Sequence, residues 1–268
     1  VFNIAEGWRG RNRESHVPCL LEMLGIPYTG SDALTLGITM DKALCKRLAA
    51  AAGVATAPFL EIESLEQLPK SSFPLPAFVK PNWEGTSKGI RYSSVVQDEK
   101  SLREAVAWCL ESYRQPVLVE RFLTGREFTL GILGNDRPQT FPIGEVVFFQ
   151  ATKEEAVAVG ETARFKPGRE LEVPARVSPA LAEQLQEMAL TLYRTLRCRD
   201  VARVDFRCDE KGMPYFLESN ALPGLNPENS MLPLLAKADG MEYEDLIRGI
   251  LLNALQRLGM EAAKSLET

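Results

Sequence analysis

One histidine, His16, is all that 268 residues contain. A Ser-His-Asp or Cys-His relay therefore has a single candidate base, and a lone histidine is more often a local hydrogen-bonding residue than a catalyst. The five cysteines, Cys19, Cys45, Cys109, Cys198 and Cys208, are odd in number and scattered, with no C-x-x-C pair. Neither a disulfide framework nor a zinc site is indicated, and buried reduced thiols of a cytoplasmic protein are the reading. Positive charge is not in excess: 31 Lys and Arg stand against 36 Asp and Glu, for a net charge of −5. That argues against a nucleic-acid partner held by bulk charge. No apolar run approaches the roughly 18 residues a membrane span needs. Repeats, low-complexity tracts and a Walker A loop are also absent. The chain opens on strand-like Val1-Phe2-Asn3-Ile4 with no preceding Met or leader, and a further N-terminal portion is expected ahead of it.

Hydrophobic content of 45% and charged content of 25% suit a globular protein with a sizeable core, built as one large domain or two to three lobes. The most informative stretch is Ala202-Arg203-Val204-Asp205-Phe206, followed by Phe216-Leu217-Glu218-Ser219-Asn220-Ala221-Leu222-Pro223-Gly224. Both pieces read as strands, and Cys208-Asp209-Glu210-Lys211-Gly212 reads as the turn of an antiparallel hairpin. Because side chains alternate along strands, Arg203, Asp205, Glu218 and Asn220 can share one face. Two carboxylates and an amide oxygen are the hard ligands that Mg²⁺ prefers, with nucleotide phosphates completing its shell. Taken alone, the same hairpin could carry solvated surface salt bridges.

Elsewhere the patterns predict helices over 18–25, 41–52, 100–112, 179–196 and 243–259, and strands over 1–4, 78–81, 117–122, 126–133 and 140–149. The stretch 150–172 is charged and aperiodic and reads as a long, mobile connection. Helices and strands are mixed, with much antiparallel pairing, so the class is α+β or mixed α/β. Lys80 closes an apolar strand, and Trp83-Glu84-Gly85-Thr86-Ser87-Lys88-Gly89 follows it. Such a loop can bring backbone N–H groups and hydroxyls to phosphate oxygens beside a lysine point charge, although it can equally be a plain surface loop. Lys42 opens a helix, where a solvated lysine is the simpler reading. The strand 117–122 can offer backbone groups to an adenine edge, and Glu127 can hold ribose hydroxyls.

Taken in order, these segments resemble the ATP-grasp superfamily, and within it the D-alanine–D-alanine ligase family. The resemblance rests on Val1-Phe2-Asn3, Leu24-Gly25-Ile26-Pro27-Tyr28-Thr29-Gly30-Ser31, Met40-Asp41-Lys42, Val79-Lys80-Pro81, Glu84-Gly85-Thr86-Ser87-Lys88-Gly89, Val119-Glu120, Gly125-Arg126-Glu127-Phe128-Thr129, Pro174-Ala175, Arg203-Val204-Asp205 and Glu218 to Gly224. It covers nearly the whole chain, and the motifs are specific as a set although each is weak alone. It implies an ATP-grasp fold whose two lobes sandwich ATP, with the remnant of an N-terminal α/β lobe over 1–31, a central lobe over 32–120 and a C-terminal lobe over 121–268. It implies ligation of a carboxylate to an amine through an acyl-phosphate, with ATP and two Mg²⁺ ions.

By position, Lys42 and Lys80 resemble the family's phosphate-binding lysines, and Thr86 and Ser87 its loop over the phosphates. Glu120, Arg121, Phe122 and Leu123 resemble the adenine hinge, and Glu127 the ribose ligand. Asp205, Glu218 and Asn220 resemble the metal ligands. Arg203 and the backbone of Gly224 resemble the groups that stabilise the oxyanion. Ser230 is the candidate contact for the second substrate's carboxylate. The implied partners are amino acid substrates and ATP, with a homodimer formed through the N-terminal lobe, and no nucleic acid or membrane.

The chain departs from the family at its substrate pockets. Glu6-Gly7 and Gly10-Arg11-Asn12-Arg13 stand where the family has His-Gly and Gly-Glu-Asp-Gly. Arg9, Arg11 and Arg13 read as a solvated loop or as groups facing an anionic substrate. The family's Tyr-rich closing loop has no clear match over 150–172, where Lys153 and Lys166 are stand-ins, and the loop Leu225 to Met231 is one residue longer than usual. A ligase with altered substrate choice is the reading. The alternatives are an ATP-grasp ligase of another substrate class and a non-catalytic nucleotide-binding protein that kept the fold. Against the latter, paired carboxylates repel one another when no metal lies between them, so a scaffold gains nothing by keeping them.

Overall fold

The computed structural model describes residues 1–69, 73–85, 88–148 and 169–260. Its first helices follow from their caps. Helix α1 (His16–Met23) ends at Leu24, and Gly25 then takes the left-handed conformation at φ 64°. Asp32 accepts a hydrogen bond from Thr35 N at 2.9 Å and starts α2 (Ala33–Met40), and Asp41 accepts from Leu44 N at 3.0 Å and starts α3 (Lys42–Ala51). Asp41 itself is extended, which separates two helices that are adjacent in sequence. The predicted strand over 1–4 does not form. Val1 and Asn3 make single hydrogen bonds with Thr29, and Val1 also with Pro27, so no ladder is built.

The first sheet takes strands β1 (Phe59–Ile62), β2 (Ala77–Pro81), β3 (Val95–Val96) and β4 (Val117–Arg121) in the order β1-β4-β2-β3, every pair antiparallel. Helix α4 (Glu99–Tyr113) covers one face. Asp98 and Ser101 form its capping box, and Leu102, Val106 and Cys109 pack on Ile62, Val79, Val96, Val117 and Val119. Each such side chain removed from water contributes about 1.5–3 kcal/mol.

The second sheet holds β5 (Glu127–Leu133), β6 (Gln139–Thr140), β7 (Gly144–Phe148), β8 (Arg169–Glu172), β9 (Val201–Cys208) and β10 (Pro214–Asn220). The order is β10-β9-β5-β7-β8, with β6 on β5. The single strand expected over 140–149 is therefore two pieces, and the end of the expected connection over 150–172 is a strand. Residues 149–168 lie outside the described residues.

One face of this sheet presents Phe128, Leu130, Ile132, Val204, Phe206 and Phe216 to α5 (Pro179–Thr195) and to Leu36, Cys45 and Ala49 of α2 and α3. The other face is capped at one end by α6 (Met231–Ala238) and α7 (Tyr243–Arg257). A Cβ at Gly131 would lie 2.6 Å from a Leu232 methyl and 2.8 Å from the Phe141 ring, so those side chains would have to shift to admit it. Asp200 fastens the assembly: its carboxylate takes two hydrogen bonds from Arg257, at 3.0 and 2.8 Å, and one each from Gly30 N and Asn135.

Candidate active site

Strands β9 and β10 pair with Glu218 opposite Asp205 and Asn220 opposite Arg203. The register shifts between Phe216 and Glu218, so Leu217 is an extra residue in β10. Before the bulge Phe216 pairs with Phe206 and faces the core. After it, Glu218 pairs with Asp205 and faces the other way. A regular strand would put Phe216 and Glu218 on the same face.

Asp205 is the most heavily used of the four. Arg203 forks onto it, with Nε at 3.0 Å from Oδ1 and Nη2 at 2.8 Å from Oδ2. Thr129, opposite it on β5, donates to Oδ1 at 2.7 Å, and Asn220 Nδ2 lies 3.3 Å from Oδ2. Burial works against the Arg203 charge, but Asp205 outweighs it and holds the guanidinium above its ordinary pKa.

The lysines approach from the other side. Lys42, at the start of α3, donates to the Glu84 carbonyl and lies 3.7 Å from Glu218 Oε2. Lys80, at the end of β2, lies 2.6 Å from Glu120 Oε1. Lys46, one turn after Lys42, is fully buried, 2.9 Å from Glu120 Oε2, and donates to the Phe216 carbonyl at 2.9 Å. Burial lowers the pKa of Lys42 and of Lys46. It also opposes the charge on Lys80, where Glu120 and Glu218 outweigh it and raise the pKa. Burial would raise the Glu120 pKa, but Lys46 and Lys80 hold it at about 2. The Glu218 pKa is lowered, since Lys42, Lys80 and Arg203 outweigh its burial. Burial thus disfavours the charged form at Lys42 and Lys46, while opposite charges favour it at Lys80, Glu120 and Glu218.

Beyond Glu120 the chain continues along the end of the first sheet. The N–H groups of Arg121 and Phe122 donate to the carbonyls of Pro58 and Pro76, each at 2.9 Å. The Arg121 side chain points away from the cleft to Glu210, Leu123 is buried, and the Phe122 ring stacks on Phe78 under the Arg207 guanidinium. Glu127 faces Arg207 Nη1 at 3.3 Å. Gly224 lies in the loop after β10, and Ser230 accepts from Asn226 N at 3.1 Å as it opens α6. Thr86, Ser87, Lys153 and Lys166 lie outside the described residues.

The arginine loop is anchored at two of its positions. Arg11 pairs with Asp41 at 2.7 Å and lies over the Trp83 ring, and Arg13 donates to the Trp83 carbonyl at 2.8 Å. Both fasten the loop to the segment after β2, because Asp41 and Trp83 present the nearest acceptors. Arg9 is exposed.

Sequence reasoning also missed Lys46, Thr129 and Glu14. Lys46 was signalled by its four-residue spacing from Lys42, and Thr129 by pairing with Asp205. Glu14 carries no sequence signal: burial raises its pKa to about 7, partly offset by Arg13, and it also feels Glu6, Lys42 and Glu218.

Among the described residues no three His, Cys, Asp or Glu form a metal cluster. The Asp205, Glu218 and Asn220 set has two carboxylates and an amide, which suits a hard divalent cation by chemistry. Asp205 already accepts four contacts, which is the capacity of a carboxylate, so a cation there needs Arg203 or Asn220 to yield.

The profile described as D-ala D-ala ligase C-terminus matches residues 48–252. An uncharacterized protein, y4sG of Sinorhizobium fredii, is 36% identical over 94% of this chain and 73% of its own length. The D-alanine–D-alanine ligase of Pelotomaculum thermopropionicum is 34% identical over 90% of this chain and 76% of its own. The D-alanine–D-alanine ligase of Bacillus anthracis, solved in complex with ATP, superposes with a TM-score of 0.74 at 29% identity, covering 90% of this chain and 74% of that one.

Proposed function

This chain belongs to the D-alanine–D-alanine ligase family, with its ATP-grasp fold, and is an ATP-dependent dipeptide ligase; we propose that it joins the carboxyl of D-alanine, or of a related amino acid, to the amine of a second through an acyl-phosphate. The observation that carries this is the register of β9 and β10, which lines up Arg203, Asp205, Glu218 and Asn220 on one face, with Lys42 3.7 Å from Glu218.

In this reading Lys42 and Lys80 bind the phosphates as point charges, and Thr86 and Ser87 belong to the loop over them. Glu120, paired with Lys46 and Lys80, opens the adenine hinge. The backbone from Arg121 to Leu123 lines the adenine edge, and Glu127 meets the ribose. Asp205, Glu218 and Asn220 are the residues that would hold Mg²⁺. When bound, Mg²⁺ neutralises charge on the transferring phosphoryl group.

Arg203 and the backbone of Gly224 stabilise the oxyanion formed when the amine attacks the acyl-phosphate. A buried guanidinium held charged by Asp205 suits that role. Positioning of the two substrates supplies much of the acceleration, so no side-chain nucleophile is required. Ser230 contacts the second substrate's carboxylate. Arg11 and Arg13 anchor the loop on Asp41 and Trp83, and each guanidinium keeps further donors for an anionic substrate group.

A homodimer completes the reading, supported by Leu20, Met23 and Leu24, which stand exposed along α1 and its end. No helix among the described residues is long and apolar enough to cross a membrane, and the reading places the ligase in the cytoplasm, where its family makes precursors of peptidoglycan. The experiment is ATP-dependent phosphate release with Mg²⁺ across pairs of D- and L-amino acids, with mass spectrometry of the products. A dipeptide from D-alanine alone supports the narrow form of the proposal. A product from another pair moves the substrate assignment, and no release under any pair contradicts it.

A further inference from the structure

Lys46 bonds to both sheets at once. From the second turn of α3 its ammonium lies 2.9 Å from Glu120 Oε2 on β4 and donates at 2.9 Å to the carbonyl of Phe216 on β10. Its side chain has no exposure, so the ammonium meets no solvent. An ammonium so placed needs a partner of opposite charge, and Glu120 supplies it. Glu120 in turn sits 2.6 Å from Lys80 through its other oxygen. Phe216 is the last residue before the bulge that turns Glu218 toward Asp205. One side chain therefore touches the groups that set the direction of Lys80 and of Glu218.

We propose that Lys46 is a positioning residue for ATP: it fixes Glu120 in place opposite Lys80, and through Glu120 and the Phe216 carbonyl it presets both the phosphate-binding lysine and the bulged strand. This rests on the ligase reading above. Lys46 touches no substrate in this account. It acts through Glu120, whose neighbours are Lys46 from α3 and Lys80 from β2, with the charge of Glu218 on β10 acting from further off. With both cations present the carboxylate stays charged through the working pH range. With Lys46 neutral, Glu120 keeps its burial and the charge of Glu218 but loses one of its two cations, so its protonation moves up toward neutral pH.

The test measures Mg-ATP binding by calorimetry as a function of pH for the wild type, Lys46→Met, Glu120→Gln and the double variant, each checked for its fold by circular dichroism. The wild type is expected to bind with an affinity flat on the acid side of neutrality. Lys46→Met is expected to weaken ATP binding about tenfold, the equivalent of one pKa unit of interaction, and to acquire an acid limb. Glu120→Gln is expected to lose a similar factor without the limb, and the double variant to be no worse than the single ones, as for residues acting as a unit. A folded Lys46→Met with wild-type affinity and a flat profile would reduce Lys46 to a packing role and overturn the inference. If Lys46→Met does not fold, Glu120→Gln decides, and wild-type ATP affinity in that variant overturns it equally. Failure of the wild type to bind ATP at all would instead remove the ligase reading on which the inference stands.

Discussion

Glu218 stands opposite Asp205 because Leu217 is an extra residue in its strand. The hairpin resolves two demands of opposite parity: Phe216 must enter the core beside Phe206, and Glu218 two residues later must leave it. Deleting Leu217 is expected to restore the regular pleat and send Glu218 toward the apolar face. Activity should fall to background, and a thermal melt should show marked destabilisation. Retention of activity in the deletion would show that the bulge is dispensable.

Arg203→Ala removes both hydrogen bonds of the fork on Asp205. Loss of an oxyanion donor of this kind costs about 10²–10³ in kcat. The expected signature is a fall in kcat with little change in KM for ATP, read from steady-state kinetics. A change confined to KM for ATP would assign Arg203 to nucleotide binding instead.

The carboxylate of Asp205 is filled by Arg203, Thr129 and Asn220. Thr129→Val removes one donor while leaving the charges in place. It is expected to weaken the apparent Mg²⁺ affinity in activity at constant ATP by about 10–100-fold, with the smaller effect on kcat at saturating metal. An Mg²⁺ titration checks this, and an unchanged midpoint would exclude Thr129 from the metal's surroundings.

Much of this was legible in the chain. The spacing of Arg203, Asp205, Glu218 and Asn220 on a hairpin, the helices over 41–52 and 179–196, and the lysine closing an apolar strand each reflect local chemistry that sequence carries directly. Helix α2 was not legible, since Ala33 to Met40 mixes only Thr and Gly with apolar residues and has no polar face to give it a helical period. Leu217 was not legible either, because a bulge is decided by what each neighbouring side chain must pack against. The anchoring of Arg11 and Arg13 depends on Asp41 and Trp83, distant in sequence and brought near only by the fold.

Glu14 provides a pH-dependent test. Burial raises its pKa from 4.5 to about 7, so the folded state takes up a proton that the unfolded chain releases. Its contribution to stability is fully present below about pH 4.5 and is lost as pH rises through about 7. Glu14→Gln should therefore raise Tm at pH 8 and change it little at pH 4, with a gain on the order of 2–3 kcal/mol at the upper end. An equal effect at both pH values would mean that the charge is not the cause.

Asp200→Asn unbalances the buried pair with Arg257 and weakens the bond from Gly30 N. Breaking a buried pair by removing one partner costs about 3–5 kcal/mol. The denaturation midpoint in urea should fall accordingly, while the pH dependence of kcat in the surviving folded fraction stays that of the wild type.

The central claim is that the charged cleft between the two sheets drives ATP-dependent joining of two amino acids. Its most direct measurement is the product of a reaction containing the protein, Mg-ATP and paired amino acids, followed by phosphate release and mass spectrometry, with Glu218→Gln alongside. The account predicts a dipeptide formed in step with phosphate by the wild type and none by Glu218→Gln. Phosphate release without any dipeptide, or equal product from both proteins, would contradict it.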